Sequence, residues 1–185
     1  DAADAVIHSR GLDYAGKMLQ ILERYIEHAD DFQPESVTHA IVLIGTLSNY
    51  LDKDGQKKLI HTFEKMLQLL ARSQAHGASE LVNRAICKCI PLLSRFFEER
   101  TKQIFSEQLT ILRAGKNESE LRGAAYACAG IVKGQGLKFF KEREIIGILQ
   151  LECFQGKKAD ALRLQAGLQL YETLSFALGK AFEPY

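Results

Sequence analysis

Apolar residues recur along this chain in steps of three and four, the spacing that gathers side chains onto one side of an α-helix. Leu12, Ala15, Leu19, Leu22 and Ile26 form the first such stripe and predict a helix from about Leu12 to Ala29. The polar run Asp30-Asp31-Phe32-Gln33 interrupts it, and Pro34 suits the first turn of a second helix, where its missing N–H has no intrahelical partner to lose. That second helix is expected to reach about Leu51, with Asp52-Lys53-Asp54-Gly55 as a turn. Leu59, Phe63, Met66, Leu67 and Leu70 mark a third helix from about Gln56 to Ser73. A fourth covers about Glu80 to Phe97 and contains Pro91, which removes the bond to the Cys87 carbonyl and predicts a kink.

The second half repeats the pattern. Helix five is expected over about Glu99 to Ala114, closed by Gly115. Asn117 is placed to cap helix six, with Glu120 three residues on in a capping-box arrangement. Gly134-Gln135-Gly136 reads as a helix stop that exploits the access of glycine to positive φ. Helix seven is expected over about Phe139 to Phe154, Gly156 to Asp160 as a turn, and helix eight over about Ala161 to Leu178. No stretch alternates with the period of a strand, so the chain reads as all-α.

Four of these helices are variations on one sequence. SVTHAIVLIGTLSNYL, LVNRAICKCIPLLSRFF, ELRGAAYACAGIVKGQG and ALRLQAGLQLYETLSFALG align through the small residues Ala40, Ala85, Ala124 and Gly167, at spacings of 45, 39 and 43. A period in that range with two helices per unit is the signature of a HEAT- or armadillo-type α-solenoid. The helix pairs fall at about 12–51, 56–97, 99–134 and 139–178, and the 185 residues read as one segment, 1–185, excised from a longer array. A lone pair cannot cover both of its apolar faces, so each depends on its neighbours, and such a stack works through its outer surface. In helix six, Gly123, Ala127, Gly130 and Gly134 follow steps of four, three and four, a stripe of small residues that predicts a close helix–helix contact.

Composition adds mainly exclusions. Lys plus Arg number 24 against 23 Asp plus Glu, so no global field favours indiscriminate binding to DNA or to a membrane surface. No apolar run approaches the roughly 20 residues that span a bilayer. Cys87 and Cys89 stand about 200° apart around one helix and cannot jointly grip a metal; with Cys128 and Cys153 they read as reduced, mostly buried thiols suited to the cytosol. His8, His28, His39, His61 and His76 are scattered among repeats without a metal-binding spacing, and no phosphate-binding glycine loop is present. Neither a cofactor nor a catalytic set is assigned, and no small-molecule substrate.

One charge asymmetry stands out. Lys133, Lys138, Lys141, Arg143, Lys157, Lys158 and Arg163 lie within 31 residues that hold four acids, Glu142, Glu144, Glu152 and Asp160. In a solenoid, successive turns line one edge. Lys133, Lys138, Lys141, Lys157, Lys158 and Arg163 are therefore the candidate contacts with RNA phosphate or an acidic protein, set against the plainer reading of ordinary solvated charge.

HSRGLDYAG at His8–Gly16, ELRGAAYACAGIVKGQG at Glu120–Gly136 and LGKAFEPY at Leu178–Tyr185 resemble one family closely. It is the giant HEAT-repeat translational activator family of the amino-acid starvation pathway, which stimulates the kinase of translation initiation factor two alpha. SVTHAIVLIGTLSNYLDK resembles the family's repeat between the first two blocks, so the likeness covers almost the whole chain. Ala127-Cys128 replaces the family's usual glycine-leucine, and of the arginine run usual at the start of helix eight only Arg163 is kept. The resemblance implies a cytoplasmic, non-catalytic, monomeric scaffold segment near the part similar to elongation factor three. It implies the ribosome and an ABC-type ATPase as partners, and kinase docking elsewhere in the protein. The alternatives are a spacer within the same arch, a HEAT scaffold of transport-receptor or phosphatase type, and, least supported by the residues, an enzyme.

Overall fold

The computed structural model of the chain describes residues 2–72, 78–142, 145–148 and 161–183. Among them the order is α1 (Ala2–Glu27), a 3-10 turn (Ala29–Asp31), α2 (Pro34–Leu47), α3 (Lys53–Arg72), α4 (Ala78–Ser94), α5 (Glu98–Ala114), α6 (Glu118–Glu142), α7 (Ile145–Ile148), α8 (Ala161–Leu178) and a second 3-10 turn (Gly179–Phe182). The fold is an all-α solenoid of HEAT-like repeats. The even helices α2, α4, α6 and α8 stack side by side in one layer, and α1, α3 and α5 lie across them in the other. α3 leans past its own partner α4 to pack chiefly on α6, which threads the layers together.

The aligned small residues sit where the layers meet: Ala40, Ala85, Ala124 and Gly167 are all buried. Ile41, Ile44 and Leu47 of α2, Leu59, Phe63 and Met66 of α3, Ile86, Ile90 and Leu93 of α4, and Phe105 of α5 are sealed from solvent. They form one continuous seam that runs on through α6 to Leu170 and Leu174 of α8. Each such side chain contributes roughly 1.5–3 kcal/mol by leaving water, against a backbone ordering cost of about 1–2 kcal/mol per residue. Cohesion therefore requires cover on both flanks of every pair.

Hydrogen bonds tie each repeat to the next. In the even layer Arg95 reaches back to Ser48 and Asn49, Tyr126 to Glu80, and Thr173 to the Ala125 carbonyl, over sequence separations of 46 to 48. In the odd layer Thr62 donates to Glu23, Lys65 to Glu27 and Arg100 to Glu64, at separations of 36 to 39.

Several helix ends differ from the sequence reading, each for a local reason. α1 begins at Ala2, well before Leu12; its Ala-rich first turns are good helix formers although they lack the apolar stripe. α2 stops at Leu47, before Leu51, where Ser48 donates to the Gly45 carbonyl and Asn49 to that of Thr46, local bonds that compete with the next helical turn. The expected turn Asp52–Gly55 is instead the start of α3, because Asp52 Oδ1 accepts the Gly55 N–H at 2.7 Å and caps it. Asn117 caps α6 in the same way, accepting the Glu120 N–H at 2.8 Å. α4 ends at Ser94, one turn short of Phe97 and three residues past Pro91.

At Gly136 the chain takes φ 85° and ψ 176°, and helix resumes immediately through Glu142. The break is one residue wide, so Gly134 and Gln135 remain helical. Of the helix expected to reach Phe154, residues 143–144 and 149–154 lie outside the described residues, as does the turn at 156–160.

Candidate interaction face

The even layer turns one side of each helix outward. On α4 that side is Leu81, Arg84, Lys88 and Leu92, all exposed at steps of three and four, with exposed Arg95 just past the helix end, while Val82, Ala85, Ile86, Cys89, Ile90 and Leu93 point inward. The same 3.6-residue period that builds the core thus sorts three cations onto one strip.

Each of the three is held differently. Arg84 donates from Nε to Glu80 at 2.7 Å and lies 3.7 Å from Glu172 of α8. The Glu80 bond holds the guanidinium pKa above its ordinary value. Glu80 also accepts the hydroxyl proton of Tyr126. The Tyr126 phenol is pushed above its usual range by burial first, and then by that bond. Arg95 donates to the neutral oxygens of Asn49 at 2.6 Å and Ser48 at 3.3 Å, and its guanidinium lies 4.6 Å from the Phe96 ring centroid. Lys88 stands 5.4 Å from the ring centroid of Phe176, with Arg84 at 5.2 Å from the same ring. Phe176 belongs to α8, so its contacts with Lys88 and Arg84 link α8 to α4.

The seam beneath this strip is set by glycine. A Cβ on Gly123 would stand 2.5 Å from the Leu70 carbonyl oxygen of α3, and one on Gly134 would stand 2.7 Å from Ser94 Oγ of α4. Gly130 also faces α4, and Ala127 between them is fully buried. The small residues therefore serve two neighbours, α3 at one end of α6 and α4 at the other.

Elsewhere a cleft of about 590 Å³ lies between α1 and the α2–α3 connection, lined by Lys17, Glu23, Tyr50, Asp52, Asp54 and Lys58 among others. Its lining sets two lysines against three carboxylates and contains neither histidine nor cysteine. Among the described residues no cluster of His, Cys, Asp and Glu has the makings of a metal site, and no helix is long and apolar enough to cross a membrane.

Comparison with known proteins supplies the family. Over 187 residues, the whole of this chain, it is 29% identical to the human protein named stalled ribosome sensor GCN1. It is 30% identical over 188 residues to the Arabidopsis thaliana protein ILITYHIA, and 29% identical over 187 to the Saccharomyces cerevisiae eIF-2-alpha kinase activator GCN1. This chain is a GCN1-family segment. It spans about 7% of the length of each of these relatives. No family model matches it, and no solved structure does.

Against this GCN1-family frame, the basic residues singled out in the sequence divide into groups. Lys133 is exposed on α6 before the break at Gly136, and Lys138 and Lys141 are exposed after it. Lys157 and Lys158 lie outside the described residues, and Arg163 sits in the first turn of α8. The charges of Lys133 and Lys88 both work against the upward push that burial gives the Cys87 thiol. Lys88, Arg84 and Arg95 were missing from the sequence-based set. Their signal was present in the spacing of basic residues opposite the apolar stripe of α4, but it carries no meaning until α6 and α8 are laid beside that helix.

Proposed function

We propose that this chain is a non-catalytic scaffold segment of a ribosome-associated translational regulator, one that promotes activation of the kinase of initiation factor two alpha during amino-acid starvation. The observation that carries the reading is the match along the whole chain to proteins named for sensing stalled ribosomes and for activating that kinase. The architecture supports it, because a stack of paired helices offers extended surface and no enclosed reaction chamber. On this reading the segment is cytoplasmic and monomeric, takes no cofactor or small-molecule substrate, and holds the ribosome, with an ABC-type ATPase as a further partner. Kinase docking belongs to other parts of the longer protein. The helix pairs at about 12–51, 56–97, 99–134 and 139–178 act as one unit, and the six basic positions Lys133, Lys138, Lys141, Lys157, Lys158 and Arg163 contribute to the contact.

Co-sedimentation with purified ribosomes over a salt series tests the proposal. The chain is expected in the ribosomal pellet at low salt and in the supernatant at high salt, with Lys157→Glu/Lys158→Glu shifting release to lower salt. A chain that stays in the supernatant at every salt concentration is a spacer, and the ribosome-holding reading fails. Unchanged retention of the double variant removes Lys157 and Lys158 from the contact.

A further inference from the structure

We infer that Phe176 of α8, together with Arg84 and Lys88 of α4, forms a latch that passes over α6 and couples the second helix pair directly to the fourth. The inference is independent of the ribosome reading and concerns how the stack holds its shape.

Three observations support it. First, the contact skips a repeat. α6 packs between α4 and α8, and those two share no comparable backbone contact of their own among the described residues. The Phe176 ring centroid nevertheless lies 5.2 Å from the Arg84 guanidinium carbon and 5.4 Å from Lys88 Nζ, residues 92 and 88 positions back along the chain. The hydrogen bonds that tie the even layer, such as Arg95 to Asn49 and Thr173 to the Ala125 carbonyl, each span a single period. In a stack whose units touch only their neighbours, stability passes through one interface at a time. A tie across two periods departs from that rule.

Second, the tie is double. A cation over an aromatic face is attracted to the negative side of its quadrupole at this range. One turn back on α8 from the ring, Glu172 stands 3.7 Å from Arg84 Nη2, an ion pair between the same two helices. Third, the α4 end is held in place. Arg84 Nε donates to Glu80 at 2.7 Å, and Glu80 accepts the hydroxyl proton of the buried Tyr126 of α6. The arginine is thereby anchored to the helix it crosses, and a side chain already ordered loses less freedom in making a further contact.

Geometry sets what the latch does. Packed helix axes lie about 8–10 Å apart, so the axes of second neighbours in a flat layer are separated by about 16–20 Å. Long side chains meeting above the middle helix are what close that distance. Splaying α8 away from α4 on this face parts the ring from both cations at once, so the latch opposes opening of the face.

The test is backbone hydrogen exchange followed by mass spectrometry, read over the α8 amides that exchange by local opening of the last helix pair, where the rate reports the population of the open state. Lys88→Met keeps the apolar stem and removes the charge. Although the substitution is on α4, it is expected to speed exchange in α8 by about two- to fivefold. In a Phe176→Leu background the same substitution should add nothing. Phe176→Tyr, which keeps the ring, should respond to it as the parent does. Lys57→Met, which removes a lysine paired with Asp54 of its own helix, should leave α8 unchanged. Lys88 and Phe176 are both exposed, and matching circular dichroism spectra confirm that the variants are folded. Exchange in α8 that is unaltered by Lys88→Met overturns the inference. So does an equal acceleration in the parent and in Phe176→Leu, which makes the lysine a local support of α4, and so does the same acceleration with Lys57→Met.

Discussion

The Cys87 carbonyl oxygen of α4 lies 2.9 Å from the point where a Cβ on Gly130 of α6 would stand. Pro91, four residues on, has no N–H to offer that oxygen, so a backbone acceptor without its helical bond faces the one residue type that lets α6 come this close. Ile90 Cβ lies equally near the same point. Gly130→Leu must push the two helices apart, and overpacking of this kind costs about 1–3 kcal/mol or more. At roughly 2–4 °C per kcal/mol for a chain of this size, the melting temperature should fall by several degrees. Gly16→Ala is the control of opposite sign. No atom comes within 4 Å of its Cβ position, so the helical preference for Ala is expected to add up to about 1 kcal/mol. An unchanged melt for Gly130→Leu removes the close-packed seam from the account.

Asn83 presents the converse case. It is fully buried in α4, and neither polar atom of its carboxamide has a hydrogen-bond partner among the described residues. A buried polar group left unpaired costs about 1–3 kcal/mol. Asn83→Leu, which keeps the branched heavy-atom outline without the polar atoms, should therefore raise the melting temperature by roughly 2–6 °C. A fall of that size would mean that Asn83 is satisfied in solution.

The repeat register was legible because it is a one-dimensional fact. Ala40, Ala85, Ala124 and Gly167 recur at a near-constant spacing, and all four are buried at the layer junction. The end of α2 and the start of α3 were misread because Ser48, Asn49 and Asp52 decide them through single side-chain bonds, and the residues are equally at home in loops. The contact of Phe176 with Lys88 and Arg84 was not legible at all. The ring lies 88 and 92 residues further along the chain, and only the stacking of α4, α6 and α8 brings it to those cations. Gly123 could be recognised as a close-packing residue, but not that its partner is the α3 backbone at Leu70 in place of α4.

Arg100 tests what holds the odd layer. It bridges Glu64 of α3 and Glu107 of its own helix, both at 3.1 Å, with its side chain 39% exposed. Exposed pairs of this kind contribute about 0.2–1 kcal/mol and weaken with salt. Arg100→Ala is expected to lower stability by less than about 1 kcal/mol, with the loss shrinking as sodium chloride is raised. A loss several times larger, insensitive to salt, would show that the odd layer depends on charge and not on its apolar stripe.

The buried thiols predict an alkaline limb. Burial pushes Cys87 and Cys89 from the ordinary 9.0 up to about 12, and Cys128 also upward. In the unfolded chain a thiol releases its proton near pH 9, while the folded chain keeps it until about 12. Over that window the unfolded state binds fewer protons, so stability is full below pH 9 and falls as pH rises, by as much as about 1.4 kcal/mol per pH unit for each thiol. Tyr126, likewise pushed up by burial, adds to the same limb, so a single alkaline melt does not separate the contributions. Comparison with Cys89→Ala does. Urea unfolding of parent and variant at neutral pH and at about pH 10.5 should show the parent losing more stability than the variant over the interval. Equal losses would mean that Cys89 meets solvent in the folded protein and that the α4 seam is more open than its packing requires.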